Sequence, residues 1–467
     1  MVDRDDLTAP PRVPSTGLAD RAAMAWRRGV PQVSQPHQLT AGGALALDHL
    51  LPGFHDEVVA LGGIDLDLAK DVYYFDHEGT YPRFASKLRG LGVSRPFLEQ
   101  CVRDRVYRDL KNAARGGEFA VVTDTMVDFE VDKDRNAVSG IHLREGGFLP
   151  CDVYVDAAGR SSNLSALLGK HGFGRPEKLA MDALVKSASR LVKIPDSFDE
   201  EWKLLVIKSL PGGTKGGSLL PMEGGLWFVF SSFAHRCSHT LTHSRFKLAG
   251  SFGRQVTLAE ANAGQSIPLT DDGFLRFAKQ LPDRKLHDIL SIAMPLTEVS
   301  EYRAMRNERL LFNKIDLPMG LLPIGDSVQR LNPIYGQGIT VAAQSVITLS
   351  RCLATGDMGL REFSRFYIRE LYRSLENSWR MATASDARFP ATSVSKNMAG
   401  RRVSALDRFV TDRLLSTAQN DAALYLRLLE IAHFTKTPAE ALLRFDVAAA
   451  LLKAAWLGGL RAGRHRI

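Results

Sequence analysis

Four cysteines in 467 residues, Cys101, Cys151, Cys237 and Cys352, stand far apart with no CxxC spacing and no evident pairing. That scarcity disfavours a disulfide-stapled scaffold and fits reduced thiols in a cytoplasmic setting. No stretch reaches the roughly 18–20 uninterrupted apolar residues that a membrane span needs. The nearest, Val447 to Leu460, is short and carries Lys453, so it reads as an amphipathic or buried helix. Met1-Val2-Asp3-Arg4-Asp5-Asp6 opens on charge without an apolar core and is not read as a secretory signal. Internal repeats, low-complexity tracts and basic residues interleaved with aromatics are all missing, so nucleic acid is not an expected partner.

What is present describes an ordinary globular chain. Hydrophobic residues make up 45% and charged ones 24%, and the length allows two to four domains with sizeable cores. The net charge of +8 is concentrated at one end. From Arg380 to Ile467 there are 14 basic residues (11 Arg and 3 Lys) against 7 acidic ones, which leaves +7 in that segment. Two readings stay open for this basic tail: a helical subdomain with a solvated arginine face, or a peripheral contact with an anionic membrane surface.

Periodicity predicts helices over about 39–60 and over 95–111, where Phe97, Leu98, Cys101, Val102, Val106 and Leu110 recur at helical spacing. Strand-like runs follow at 119–122, 126–131, 138–143 and 153–155, separated by turn residues such as Asp132 and Gly146-Gly147. Residues 180–310 mix short β-rich runs, including 204–207 and 226–230, with a helix near 273–279; from Arg361 onward the pattern is mostly helical.

Two places carry chemistry. In the first, the run from Gly320 forms a short apolar strand ending at Gly325-Asp326. The loop Asn332-Pro-Ile-Tyr-Gly-Gln-Gly338 follows and feeds a helix. Gly336 and Gly338 remove side chains where a planar or anionic ligand would approach the backbone, and unpaired amides at the helix start favour negative charge. Asp326, at the carboxyl end of a strand, is placed to accept hydrogen bonds from a polyol. In the second, Val153-Tyr-Val-Asp156 runs into the glycine turn Ala-Ala-Gly159-Arg-Ser-Ser162. Either alone is equally an ordinary strand–turn crossover; their joint occurrence, about 170 residues apart and in this order, points to a cofactor fold.

With these residues the sequence resembles the class A FAD-dependent monooxygenases, in their aromatic hydroxylase and polyether epoxidase-like branch. Asp156-Ala-Ala-Gly-Arg-Ser-Ser162, Gly325-Asp326 with Asn332–Gly338, Arg27-Arg-Gly-Val-Pro-Gln32, Ser94-Arg-Pro-Phe-Leu98 and Trp379–Asp386 with Phe389-Pro390 carry the likeness, which spans most of Met1 to about Pro390. The resemblance implies an α/β architecture with a glutathione-reductase-type FAD-binding domain in two parts, residues 1–165 and 301–380. A β-rich substrate domain over 166–300 and a helical basic region over 381–467 complete it. It further implies that Asp326 bonds the ribityl hydroxyls, that Gly336 and Gly338 present backbone to the flavin edge, and that Pro333 lies beside the ring. Arg27 and Arg95 would approach the pyrophosphate or ring, Val127 the adenine side, Asp3 the adenosine ribose, and Asp156 with Gly159 the second FAD/NAD(P)H-associated turn. Such enzymes, with NAD(P)H as reductant, form a flavin C4a-hydroperoxide that transfers one oxygen atom to an apolar small molecule. No catalytic serine, histidine or metal is then expected. A flavin-dependent reductase or dehydrogenase on the same fold, and a non-catalytic relative with impaired FAD binding, are the rival readings. Flavin halogenases are disfavoured because their Trp-x-Trp-x-Ile-Pro signature is absent.

Two departures stand out. The family's opening strand and GxGxxG turn have no counterpart here, and Met1–Asp5 resembles the end of its second strand. About thirty residues are therefore expected upstream of Met1, and the chain as written is expected to be colourless or weakly yellow. The second is an apparent insertion over about 230–254. His235, His239 and His243 fall there at i, i+4 and i+8 with Cys237 between, a spacing zinc could use. No acidic partner lies nearby, so a solvated polar insertion is expected instead.

Overall fold

The structure, a computed structural model, describes residues 1–5, 37–76, 78–112, 119–195, 200–208, 215–223, 253–260, 269–302, 306–389, 392–398 and 405–443, of which 253–260 and 405–409 by backbone alone. Arg27, the insertion histidines with Cys237, and the tail beyond residue 443 lie outside the described residues.

The strand Tyr154–Asp156 lies parallel to Leu321–Pro323, with Asp156 opposite Pro323. A parallel pair cannot be closed by a hairpin, so the long connection between them is a crossover that carries the second half of the fold. A second parallel pair joins Val2–Asp3 to Val122–Thr123. The antiparallel meander Met126–Asp132, Ala137–Leu143 and Gly147–Pro150 follows, with a bulge between Met126 and Asp128 that displaces Val127 from the ladder. Phe129, Val138 and Ile141 of this meander share a core with Leu321, Leu322, Phe312 and the helices Gly338–Ala354 and Leu360–Asp386. The latter helix has 27 residues, about 40 Å of rod at 1.5 Å per residue, and buries Tyr367, Leu371, Leu375, Trp379 and Ala382 along one stripe.

An eight-stranded sheet forms the other half. Its order runs Met294–Pro295, Lys186–Lys193, Gly253–Glu260, Lys215–Pro221, Leu204–Ile207, Val72–Asp76, Gly79–Thr80, and Ser300–Tyr302 also pairs with Lys186–Lys193. Val72–Asp76 joins in parallel to Leu204–Ile207, so residues 72–80 of the stretch 1–165 are built into this sheet. Side chains alternate between its faces. Tyr73 and Phe75 pack with Trp202, Leu205 and Ile207 beneath the helices Asp271–Lys279 and Lys285–Ile292. On the opposite face Tyr74, Leu204 and Val206 meet Tyr425 and Leu429 of the helix Ala422–Ala432. A smaller sheet of Gln329–Arg330, Asn307–Leu310, Lys178–Asp182 and Ser393–Val394 bridges the two halves.

The helix expected over 39–60 is two helices, Ala41–Leu50 and Phe54–Ala60, because Pro52 and Gly53, the latter at φ 77°, turn the chain between them. The helix Arg95–Asn112 agrees with its periodicity. Local chemistry starts several helices: Thr40 accepts from Gly43 N, Thr270 from Gly273 N with Asp271 and Asp272 in the first turn, and Thr437 forms a capping box with Glu440. No helix among the described residues is long and apolar enough to cross a membrane.

Candidate functional site

The site begins where the parallel pair ends. Beyond Asp156 the chain closes a 3₁₀ turn, Gly159–Ser161, and beyond Pro323 another, Gly325–Ser327. Ser327 ties them: its Oγ donates to Asp156 O at 2.9 Å, and Ile324 N donates to the same oxygen at 3.1 Å. Gly159 has φ 62°, and a Cβ placed there would lie 3.8 Å from Asp326 Cβ, so the first turn folds directly against the second. This left-handed backbone is why glycine stands at 159.

Asp156 and Asp326 part ways at this point. The Asp156 side chain is fully buried, accepting from Ala158 N at 3.0 Å and from Ser162 Oγ at 2.5 Å. Its carboxyl is pushed up by burial, against the pull of Ser162, Ala158 and Arg330. This carboxylate is engaged in shaping its own turn. Asp326 is half-buried, and no described residue donates a hydrogen bond to its carboxylate. Burial raises its pKa, opposed by Arg160, Arg95 and Arg330. Each arginine is anchored elsewhere: Arg160 donates to Tyr302 Oη at 2.8 Å, Arg95 pairs with Glu99, and Arg330 donates to Asp326 O at 3.0 Å and to Glu308 at 3.2 Å. An open acceptor ringed by cations results, suited to a hydroxyl-bearing chain that also carries phosphate.

The loop behind Asp326 is more structured than a connector. Pro333–Tyr335 forms a 3₁₀ turn capped by Asn332, whose side chain accepts from Ile334 N at 3.2 Å, and Gly336 closes it at φ 64°. A buried carboxylate locks this turn. Asp386, at the end of the long helix, accepts from Tyr335 Oη at 2.5 Å, Asn332 Nδ2 at 3.3 Å and Asn307 Nδ2 at 2.6 Å. Asn307 Oδ1 in turn accepts from Asn332 N at 2.8 Å. The helix Gly338–Ala354 begins without a side-chain cap, and its first backbone bond runs from Val341 N to Gln337 O at 3.0 Å. The amides of Gly338, Ile339 and Thr340 thus head the helix beside exposed Gly336 and Gly338, and a Cβ at Gly338 would meet nothing within 4 Å.

Of the expected residues, Asp326, Gly159, Arg95, Pro333, Gly336 and Gly338 belong to this neighbourhood. Asp3 lies on the separate parallel pair, where its Oδ1 accepts from Asp5 N at 2.9 Å, and Val127 is an exposed bulge residue four positions beyond Asp3's partner Thr123. Asn307, Glu308, Arg330 and Asp386 had no assigned role, although Asp386 fell inside a quoted motif. Ser94, ahead of Arg95, is fixed by buried Glu223, which accepts from Ser94 N at 2.6 Å and Ser94 Oγ at 2.5 Å. That is a buried contact between residues 129 positions apart. Among the described residues no group of three or more His, Cys, Asp or Glu side chains could hold a metal.

The donor set fits FAD where it can be tested: an unpartnered carboxylate, a glycine turn folded over it, and an uncapped helix start with open space in front. No protein-family model matches the chain. Protein Rv3254 of Mycobacterium tuberculosis is 26% identical over 353 residues, 73% of this chain and 67% of the relative. Among solved structures, the flavin-dependent brominase Bmp2 superposes with a TM-score of 0.58 at 12% identity, covering 91% of this chain and 89% of that one. PqsL from Pseudomonas aeruginosa, described as a probable FAD-dependent monooxygenase, gives 0.56 at 12% identity over 78% and 88%. The chain therefore has the α/β fold carried by these flavin-dependent proteins.

Proposed function

We propose that the chain is an FAD-dependent monooxygenase that hydroxylates or epoxidises an apolar small molecule with NAD(P)H as reductant. The observation that carries this reading is the convergence of open Asp326, the Gly159 turn and the bare helix start at Gly336–Gly338 on a fold shared with flavin-dependent enzymes. Bound FAD, once reduced, supplies the activation of dioxygen. The protein's part is to hold and surround it. Asp326 accepts from sugar-chain hydroxyls, Gly338 and Ile339 donate backbone N–H groups to the ring edge, and Arg95 and Arg160 neutralise nearby phosphate. Asp386 keeps Asn332 and Tyr335 in place, which fixes the path of the Pro333 turn.

FAD titration followed by the flavin absorbance band near about 450 nm tests the binding half. Replacing Asp326 with Ala removes the charged acceptor and is expected to weaken FAD binding by about 10- to 100-fold, equivalent to about 1.5–3 kcal/mol. Unchanged affinity would remove Asp326 from the site. Oxygen electrode traces test the chemistry. Oxygen uptake should require both NAD(P)H and substrate, whereas turnover without oxygen would assign a reductase on the same fold.

A further inference from the structure

The small bridging sheet has two unlike faces. Leu179, Met181, Asn307, Arg309 and Gln329 are buried on the inner one, where the last three bond Asp386, Glu376 and Ser378 of the helix Leu360–Asp386. Alternation sends Lys178, Ala180, Glu308 and Arg330 to the outer face, with Glu308 opposite Ala180 on one side and Arg330 on the other. Arg306, two residues before Glu308, shares that face.

Three cations meet on one sunken carboxylate there. Arg306 Nε lies 3.1 Å and Lys178 Nζ 3.3 Å from Glu308 Oε1, and Arg330 Nη1 lies 3.2 Å from Oε2. Burial raises the Glu308 pKa, but Arg306, Lys178 and Arg330 outweigh it and hold the carboxyl below its ordinary value, so it is ionised at neutral pH. Three positive charges against one negative leave the cluster at +2. Asp182, the next acid along this face, turns Oδ1 to its own loop, accepting from Leu184 N at 2.8 Å. Among the described residues Lys178 and Arg306 have Glu308 as their one hydrogen-bonding or ion-pairing partner. An ammonium offers three donors and a guanidinium five, so most of theirs are left over. Their side chains are 55% and 54% exposed against 6% for Glu308, which puts the anion beneath and the cations outward. Cations gathered on one carboxylate still repel each other, and a second anion set above them relieves the repulsion. The cluster adjoins the flavin site directly, since Arg330 Nε donates to Asp326 O at 3.0 Å.

Charge selects the ligand. A phosphate monoester carries about −1.5 to −2 at pH 7, which matches the cluster, whereas each phosphate of a pyrophosphate link carries a single charge. FAD holds only the second kind. NADPH differs from NADH by one monoester, on the adenosine ribose. We propose that Lys178, Arg306 and Arg330 form a phosphomonoester site that takes the 2′-phosphate of the reductant and makes the chain selective for NADPH over NADH. Glu308 is a positioning residue that gathers cations from three segments of the chain onto one spot. The proposal rests on the monooxygenase reading for the need of a nicotinamide reductant and adds the residues that choose between the two.

Equilibrium binding of NADP⁺ and NAD⁺ to the full chain, read by calorimetry, tests this apart from turnover, because neither oxidised form can deliver hydride. NADP⁺ should bind about tenfold or more tightly at low salt, with the difference shrinking as salt rises. Inorganic phosphate should compete more strongly with NADP⁺ than with NAD⁺. Lys178→Met and Arg306→Met should each reduce the preference several-fold and together abolish it, while Lys178→Arg keeps it. Both side chains are half-exposed, so these variants should melt close to the wild type. Equal binding of the two nucleotides, or a preference that survives in the double variant, overturns the proposal. FAD affinity should be unchanged in the double variant, and a parallel loss would place the cluster at the flavin pyrophosphate and overturn its assignment to the reductant. A preference for NADP⁺ without substrate-dependent oxygen uptake would uphold the site and count against the monooxygenase reading alone.

Discussion

Asp386 shows how a buried acid near the candidate site sets its own pH dependence. Three side chains donate to it, yet burial outweighs them, with Asp182 adding repulsion, and its pKa rises from 3.8 to about 6. A carboxyl whose folded pKa exceeds its unfolded value stabilises the fold below the unfolded pKa, and that contribution is lost as pH rises through the folded one. The window runs from about pH 4 to about pH 6, and the shift corresponds to at most about 3 kcal/mol. Asp386→Asn removes the titration along with some hydrogen bonding. Melting temperatures measured from pH 4 to pH 7.5 should therefore fall more steeply in the wild-type chain than in the variant, whatever constant offset separates them. Parallel slopes would show that Asp386 titrates in the ordinary range. In either state the carboxyl joins Tyr335, Asn332 and Asn307, so the Pro333 turn and the end of the long helix share one polar junction.

At the scale of elements, the helix Arg95–Asn112 depends on a residue far from it in sequence. Glu223 takes both the amide and the hydroxyl of Ser94, while Ser94 Oγ accepts from Phe97 N at 3.2 Å. Negative charge at a helix N-terminus is favourable, and charge-assisted bonds to a buried carboxylate are strong. Glu223→Ala should cost about 2–3 kcal/mol in urea denaturation, and Glu223→Gln should recover part of that. A loss below about 0.5 kcal/mol would mean water replaces the carboxylate. The helix itself was legible, because its apolar positions from Phe97 to Leu110 repeat over about four turns, and the strand–turn–helix at 320–338 was legible because an apolar run meets Asp, Pro and Gly in sequence. Glu223 was not, since a contact spanning 129 residues leaves no local pattern. For the same reason the parallel partner of Val72–Asp76 was invisible: alternation announces a strand and its faces but not its neighbour. The motif around Asp156 was legible as a turn, whereas the burial of its carboxylate was not. A buried acid that closes its own turn and a half-buried acid that accepts no hydrogen bond from the described residues occupy the same place in the sequence pattern.

At the scale of the molecule, one short helix sits between the helix Gly338–Ala354 and the C-terminal helices. Ala41–Leu50 touches the helix Gly338–Ala354 on one side, where Thr40 Oγ1 and Thr340 Oγ1 are 2.7 Å apart, and the C-terminal helices on the other, where Gly42 N donates to His433 O at 2.7 Å. Both approaches need glycine. A Cβ at Gly42 would come within 2.5 Å of His433 O and 2.8 Å of Phe434 O, and one at Gly43 within 2.5 Å of Thr340 Oγ1. The Gly42 contacts are backbone atoms that cannot rotate away, and Phe434 already holds φ 58°, so the joint has little slack. Gly42→Ala gains a little helix propensity but forces the two segments apart, a net cost of about 1–3 kcal/mol. Limited proteolysis is the suitable measurement, because the strain falls on one docking contact. Cleavage within 405–443 should accelerate several-fold in Gly42→Ala. Leu45→Ala, on the same helix at a side chain 61% exposed, should be cut like the wild type. The disturbance should also reach the helix start at Gly338 through Thr40 and Thr340, and so weaken FAD binding in parallel. Faster cleavage with unchanged FAD affinity would show that the C-terminal helices are docked independently of the site, and the two variants behaving alike would show that the close approach at Gly42 is dispensable.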